Sequence, residues 1–204
     1  MAEATSEKRR HTGIFFRFRK SRDGAAALEF AILAVPFLML VFATFETFLA
    51  FAGEQLLGNA VTTMSRKIRT GEITFGLGKP TDMTESEFRE AFCAEIAILH
   101  MCSSTEATTP DKLYLDVRQF ASFADMPKEI PRQSSDKYAD LDTSDFAFSP
   151  GGPETKNMVR AYYRWQIMTD LVRPYITNIH RAGQTIPTDY LIISTSAFES
   201  EKYE

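Results

Sequence analysis

At 204 residues, 44% of them hydrophobic, the chain has room for one membrane helix and one modest soluble domain. Its net charge of -4 is unevenly placed: residues 1–23 hold seven Lys or Arg against three acidic side chains, a net of +4, and the remainder is near -8. Nothing beyond that segment is basic overall, which argues against a nucleic-acid partner.

Residues 1–24 read as a basic leader. Ile14, Phe15, Phe16 and Phe18 are scattered among its cations, without a helical or strand period. Residues 30–52 are apolar apart from Thr44, Glu46 and Thr47, long enough to cross a hydrocarbon core of roughly 30 Å. Positive charge ahead of a single span predicts a cytoplasmic N-terminus and a C-terminal bulk across the membrane; Arg66, Lys67 and Arg69 oppose this but are fewer. Ala50-Phe51-Ala52 fits a small-x-small signal cleavage rule. Secretory h-regions run only about 7–15 residues, however, so the run reads as an anchor not cut there. Glu29 stands at the near edge of the run and is costly to place in lipid without a partner. Glu46 lies seventeen residues further on, about 25 Å along a helix. That places it near the outer interface, with its carboxylate snorkelling to the headgroups or meeting a partner helix.

Residues 25–70 read as one helix, roughly 70 Å long. Pro36 removes one backbone donor and is of a kind that membrane helices tolerate. After Gly53 the pattern becomes amphipathic, with Leu56, Leu57, Ala60, Val61, Met64 and Ile68 at three- and four-residue spacing and Thr70-Gly71 as the stop. Residues 71–83 read as a loop. Thr84 followed three residues later by Glu87 is a capping-box pattern, opening a helix that carries Phe88, Ala91, Phe92, Ile96 and Leu99. Leu113, Leu115 and Val117 alternate with polar or amphipathic residues, as do Val159, Ala161, Tyr163, Trp165 and Ile167; both read as half-buried strands. Tyr190 to Ala197 is a third strand, and Asp125 to Pro153, with its prolines and glycines, is a long connection. The expected fold class is α+β: a long N-terminal transmembrane helix (25–70), then a small domain (71–204) with a helix and an antiparallel sheet of at least three strands.

Gly24-Ala-Ala-Ala-Leu-Glu29-Phe30 at the head of the run resembles the class III (type IV) prepilin cleavage motif: a Gly, a lone Glu five residues on, an aromatic next, then a hydrophobic helix. Continued through Ala-Ile-Leu-Ala-Val-Pro36-Phe-Leu, it resembles the TadE-like family of Flp/Tad pilus assembly proteins. The Flp motif prefers Tyr after the Glu; Phe30 keeps the ring and loses the hydroxyl. The resemblance implies a pseudopilin or minor pilin made as a precursor, inserted in the inner membrane, cut between Gly24 and Ala25 by a prepilin peptidase, and acting with a TadF-like partner. It implies that Glu29 pairs with the new N-terminal ammonium of a neighbouring subunit, with Phe30 in the recognition motif, and that the C-terminal domain is periplasmic. The alternative is a membrane-anchored periplasmic binding module that is never trimmed.

Cys93 and Cys102 are the two cysteines. A domain exported to an oxidising periplasm makes a disulfide the default, and TadE-like proteins often carry two cysteines about here. On one straight helix the pair would lie about 13.5 Å apart, whereas bridged Cα atoms lie within about 7 Å, so the chain must turn back near His100-Met101. His100 between them suggests zinc, but three ligands make a poor structural site. His11, His100 and His180 fall in a leader, a helix end and a loop, and no Gly-x-Ser-x-Gly, P-loop or His-Glu-x-x-His motif is present. No catalytic residue, metal or cofactor is expected, and Tyr162, Tyr163 and Trp165 read as sheet and core.

Overall fold

The computed structural model describes residues 22–170 and 172–203, with side chains from residue 26 onward. The expected basic leader lies outside these residues up to residue 21. Packing divides the chain into two units, residues up to 42 and Ala43–Glu204.

Helix α1, Arg22–Arg69, runs through Pro36. In the first unit its large apolar side chains, Leu28, Phe30, Ile32, Leu33 and Phe37 among them, are exposed. A helix that is apolar all round and unpacked needs an apolar surrounding, and α1 is a candidate membrane span by length and hydropathy. In the second unit, Glu46, Ala50, Gly53, Leu57, Ala60, Val61, Met64 and Ile68 are buried. Steps of three and four residues, with Val61 beside Ala60, place them on one face. The amphipathic stripe thus begins at Glu46, a turn and more before the expected change at Gly53. Gly53 is needed there for close approach: a Cβ would lie 2.8 Å from a ring carbon of Trp165.

Helix α2, Glu85–Glu95, starts as its capping box predicts. Thr84 Oγ1 accepts the Glu87 N–H at 3.3 Å, and Glu87 accepts the Thr84 N–H at 2.7 Å. The backbone bond holds the exposed Glu87 carboxyl below its ordinary pKa, reinforced by the Thr84 hydroxyl. A 3-10 turn, Ala97–Leu99, follows, and His100 at φ 50° reverses the chain.

The sheet comprises β1 (Leu113–Phe120), β2 (Phe148–Ser149), β3 (Lys156–Gln166) and β4 (Asp189–Glu199), in the order β2-β1-β3-β4. A one-turn helix, α3 (Arg173–Ile176), precedes β4. β3 pairs antiparallel with both neighbours, in registers that include Leu115 opposite Ala161 and Tyr162 opposite Ile193. The three expected strands form this antiparallel part. The two-residue β2 adds a parallel edge, Val117 opposite Phe148, making the sheet mixed.

One sheet face carries Leu113, Leu115, Val117, Val159, Ala161, Tyr163 and Ile192, which form a single cluster with the α1 stripe and with Phe88, Phe92 and Ile96. Each such large side chain contributes about 1.5–3 kcal/mol by leaving water. Burial also pushes the Tyr163 hydroxyl up to about 12, so it stays protonated. The expectation of half-buried strands is corrected for β3, which is buried on both faces from Asn157 to Arg164. The reason is the second cover: Leu141 and Ile179, from the connections before β3 and β4, pack with Tyr162 and Leu191 on the opposite face. Because that face carries Arg160 and Arg164, the cover is partly polar. Arg164 reaches Asp140 at 2.6 Å, and Asp140 also accepts the Ala182 N–H at 2.9 Å. Arg160 donates to the Pro127 carbonyl at 2.6 Å and to Thr195 Oγ1 at 2.8 Å.

Candidate functional site

The prepilin-like residues sit at the head of α1. Gly24 and Ala25 lie in its first turn, in helical backbone. Glu29 and Phe30 follow one turn later, both exposed. Phe30 is 73% exposed, so among the described residues Glu29 and Phe30 are presented outward rather than packed. The helix dipole acts within the first turn of a helix, whereas Glu29 is the eighth residue of α1.

Glu46 departs from both expectations for it, since it neither points to solvent nor awaits a partner helix. It is 8% exposed. Its Oε1 accepts the backbone N–H of Met168, and its Oε2 accepts that of Thr169 at 3.0 Å. These groups belong to the turn after β3, more than 120 residues away in sequence. A single carboxylate thereby ties the apolar end of the helix to the domain, and a charge-assisted bond of this type is roughly twice as strong as a neutral one. Glu46→Ala is expected to leave two part-buried donors without their acceptor, costing up to about 1–3 kcal/mol. Hydrogen exchange at Met168 and Thr169 in the detergent-solubilised full chain should rise with it. Glu46→Gln, which keeps one acceptor oxygen, should show a smaller rise; unchanged exchange in both variants would remove the tether.

Cys93 and Cys102 are joined, with Cα atoms 5.7 Å apart, and the reversal at His100 permits it. Their mutual bond leaves no thiolate for zinc. Among the described residues, no group of three or more His, Cys, Asp or Glu side chains is placed to hold a metal ion.

Beyond the disulfide, sequence reasoning missed Arg89 and Glu106. Both are buried, at 3% and 1% exposure. One Glu106 oxygen accepts the N–H groups of Asp111, Lys112 and Leu113 at 2.8–3.0 Å. Arg89 donates to the carbonyls of Glu106 and Leu113 at 2.9 and 2.7 Å, and its guanidinium lies 3.8 Å from the Glu106 carboxylate. Burial lowers the Arg89 pKa, and the Glu106 charge opposes that. The spacing of seventeen residues has no periodic signature in sequence.

Two of the clefts on the domain are described by their walls. One, of about 670 Å³, has Arg118, Arg132, Arg160 and Tyr162 in its wall. In it Arg118 is committed to Asp116 at 2.6 Å. The other, of about 570 Å³, lies between Ala50, Phe51 and Glu54 of α1 and the turn of Pro174, Tyr175 and Ile176.

Comparison with known proteins gives one family. The model of the family TadE, described as TadE-like protein, matches residues 24–66. No significant match is found among curated proteins or among solved structures. The matched stretch begins at the Gly24 of the prepilin-like motif and covers the exposed apolar helix, the Glu46 tether and most of the buried stripe, and over that segment the chain is similar to TadE-like proteins.

Proposed function

We propose that this protein is a TadE-like pseudopilin or minor pilin that takes part in assembling Flp/Tad type IVb pili, and that its role is structural rather than catalytic. The observation that carries the reading is the TadE match over 24–66, coinciding with an exposed apolar helix that has Glu29 at its head. On this reading α1 anchors the chain in the inner membrane, with the N-terminus cytoplasmic and the domain periplasmic. Prepilin peptidase cuts between Gly24 and Ala25, supplying its own catalytic carboxylates; the absence of a side chain at Gly24 leaves the backbone open to it. The cut creates an ammonium at Ala25. A neighbour's Glu29 neutralises it at the membrane edge, and a subunit out of register leaves one charge unpaired. Breaking such a desolvated pair costs on the order of 3–5 kcal/mol. Filament partners are then other pilin-like helices, a TadF-like protein among them.

The test is the N-terminus and intact mass of membrane-purified protein. A start at Ala25 supports the proposal, and Glu29→Ala should then abolish assembly while cleavage persists. A start at Met1 in a peptidase-competent cell, with Glu29→Ala harmless, would replace it with an untrimmed anchored protein.

A further inference from the structure

We propose that the turn between β3 and β4, at residues 167–170 and 172–176, is a second membrane contact: it docks in the interfacial layer of the bilayer beside the exit point of α1. The proposal rests on α1 being a membrane span, and three observations within the Ala43–Glu204 unit carry it further.

The first is depth. Glu46 fixes the backbone of Met168 and Thr169 to the helix, and Ala52, the last residue of the apolar run, lies six positions further on. At helical rise that is about 9 Å. Helical side chains also lean toward the N-terminus, so the captured turn sits no nearer to the end of the run than Glu46 itself. A turn held there touches lipid wherever the run does.

The second is the surface the turn presents. Met168 is 81% exposed and Tyr175 is 85% exposed, large side chains left uncovered among the described residues. Tyr175 and Pro174 share the cleft with Phe51 of α1, and Pro174 shares a further hollow with Ile186. Phe51 and Ile186 are exposed as well. The patch therefore continues the apolar surface of the helix sideways onto the domain. Tyrosine is a residue whose amphipathic ring suits the headgroup level.

The third is backbone accounting. Main chain near hydrocarbon must satisfy its own polar groups. Glu46 takes the Met168 and Thr169 donors, while the Val172 and Arg173 N–H groups bond to the Thr169 carbonyl at 3.0 and 3.1 Å. Tyr175 donates to the Val172 carbonyl and Thr177 to that of Arg173. The turn's charges also cancel, because Arg173 pairs with Asp170 at 2.7 Å.

The test uses the full chain in phosphatidylcholine vesicles, with one thiol introduced and labelled with bimane at position 48, 104, 168 or 175. The native cysteines are already bonded to each other. Lipids carrying a nitroxide high on the acyl chain should quench Phe48→Cys, Met168→Cys and Tyr175→Cys to a comparable extent and leave the exposed Ser104→Cys unquenched. Quenching at 48 with 168 and 175 behaving like 104 would overturn the contact while the span stands. Absence of quenching at 48 would overturn the span and the contact with it.

Discussion

Glu106→Ala is expected to destabilise the domain by about 3–5 kcal/mol, the range for breaking a buried pair by removing one partner. The side chain is 1% exposed, so solvent cannot replace what is lost. Three backbone donors, at Asp111, Lys112 and Leu113, lose their acceptor together, and the buried Arg89 loses its nearby counter-charge. For a unit of this size each kcal/mol moves the midpoint roughly 2–4 °C. The thermal transition of the detergent-solubilised chain should therefore fall by about 6–20 °C. Glu106→Gln retains an oxygen for the three donors but not the charge, and should fall between the variant and the native protein. Added salt should change the difference little, because a buried pair is poorly screened. A midpoint unmoved by Glu106→Ala would mean that the backbone at 111–113 is held by something other than this carboxylate.

Replacing both cysteines, Cys93→Ser with Cys102→Ser, is expected to cost about 2–4 kcal/mol, chiefly by freeing the unfolded chain. The bridge closes a short loop, nine residues in sequence separation, so the lower half of that range applies. Reductant should lower the midpoint of the native protein by a similar amount and leave the double variant unmoved. If reductant shifted both alike, the shift would come from something other than this bond. The disulfide and Glu106 both hold the chain between α2 and β1. Their removals should accordingly combine to less or more than their sum, as contacts that share a segment do.

Much of the fold was legible because local chemistry and tertiary structure agree. Thr84 and Glu87 announce α2 by their own reciprocal bonds, and the period-two residues of β1 and β3 fall on the face that meets α1. The turn near His100 followed from the reach of a disulfide, and a positive φ at His100 provides it. What remained hidden depends on partners distant in sequence. β2 has two residues and no period to detect; it exists because the main chain at Phe148 finds Val117. The second cover of β3 is made by irregular connections, whose burial no alternation predicts. Glu46 was misread because a run that is apolar on every side conceals its own buried stripe, and the acceptor it provides is used by backbone groups, which have no sequence signature. At the head of α1, Gly24, Ala25, Glu29 and Phe30 were legible as a motif, and the structure places them on one helix turn after another.

The burial of one α1 face has a consequence for lateral assembly. From Glu46 onward that face is spent on the chain's own sheet, leaving an opposite stripe of Phe48, Phe51, Gln55, Asn59, Thr62 and Arg66, all exposed. A neighbouring helix laid along it would find apolar rings at the beginning and amides, a hydroxyl and a guanidinium beyond. Over the first of these stretches lipid already covers the rings, so association there gains close packing rather than hydrophobic transfer energy. Over the second it exchanges water for polar contacts of little net worth. Copies or relatives packed side by side would therefore be held by the fit of their rings over the apolar stretch and slide past one another with little resistance over the polar one.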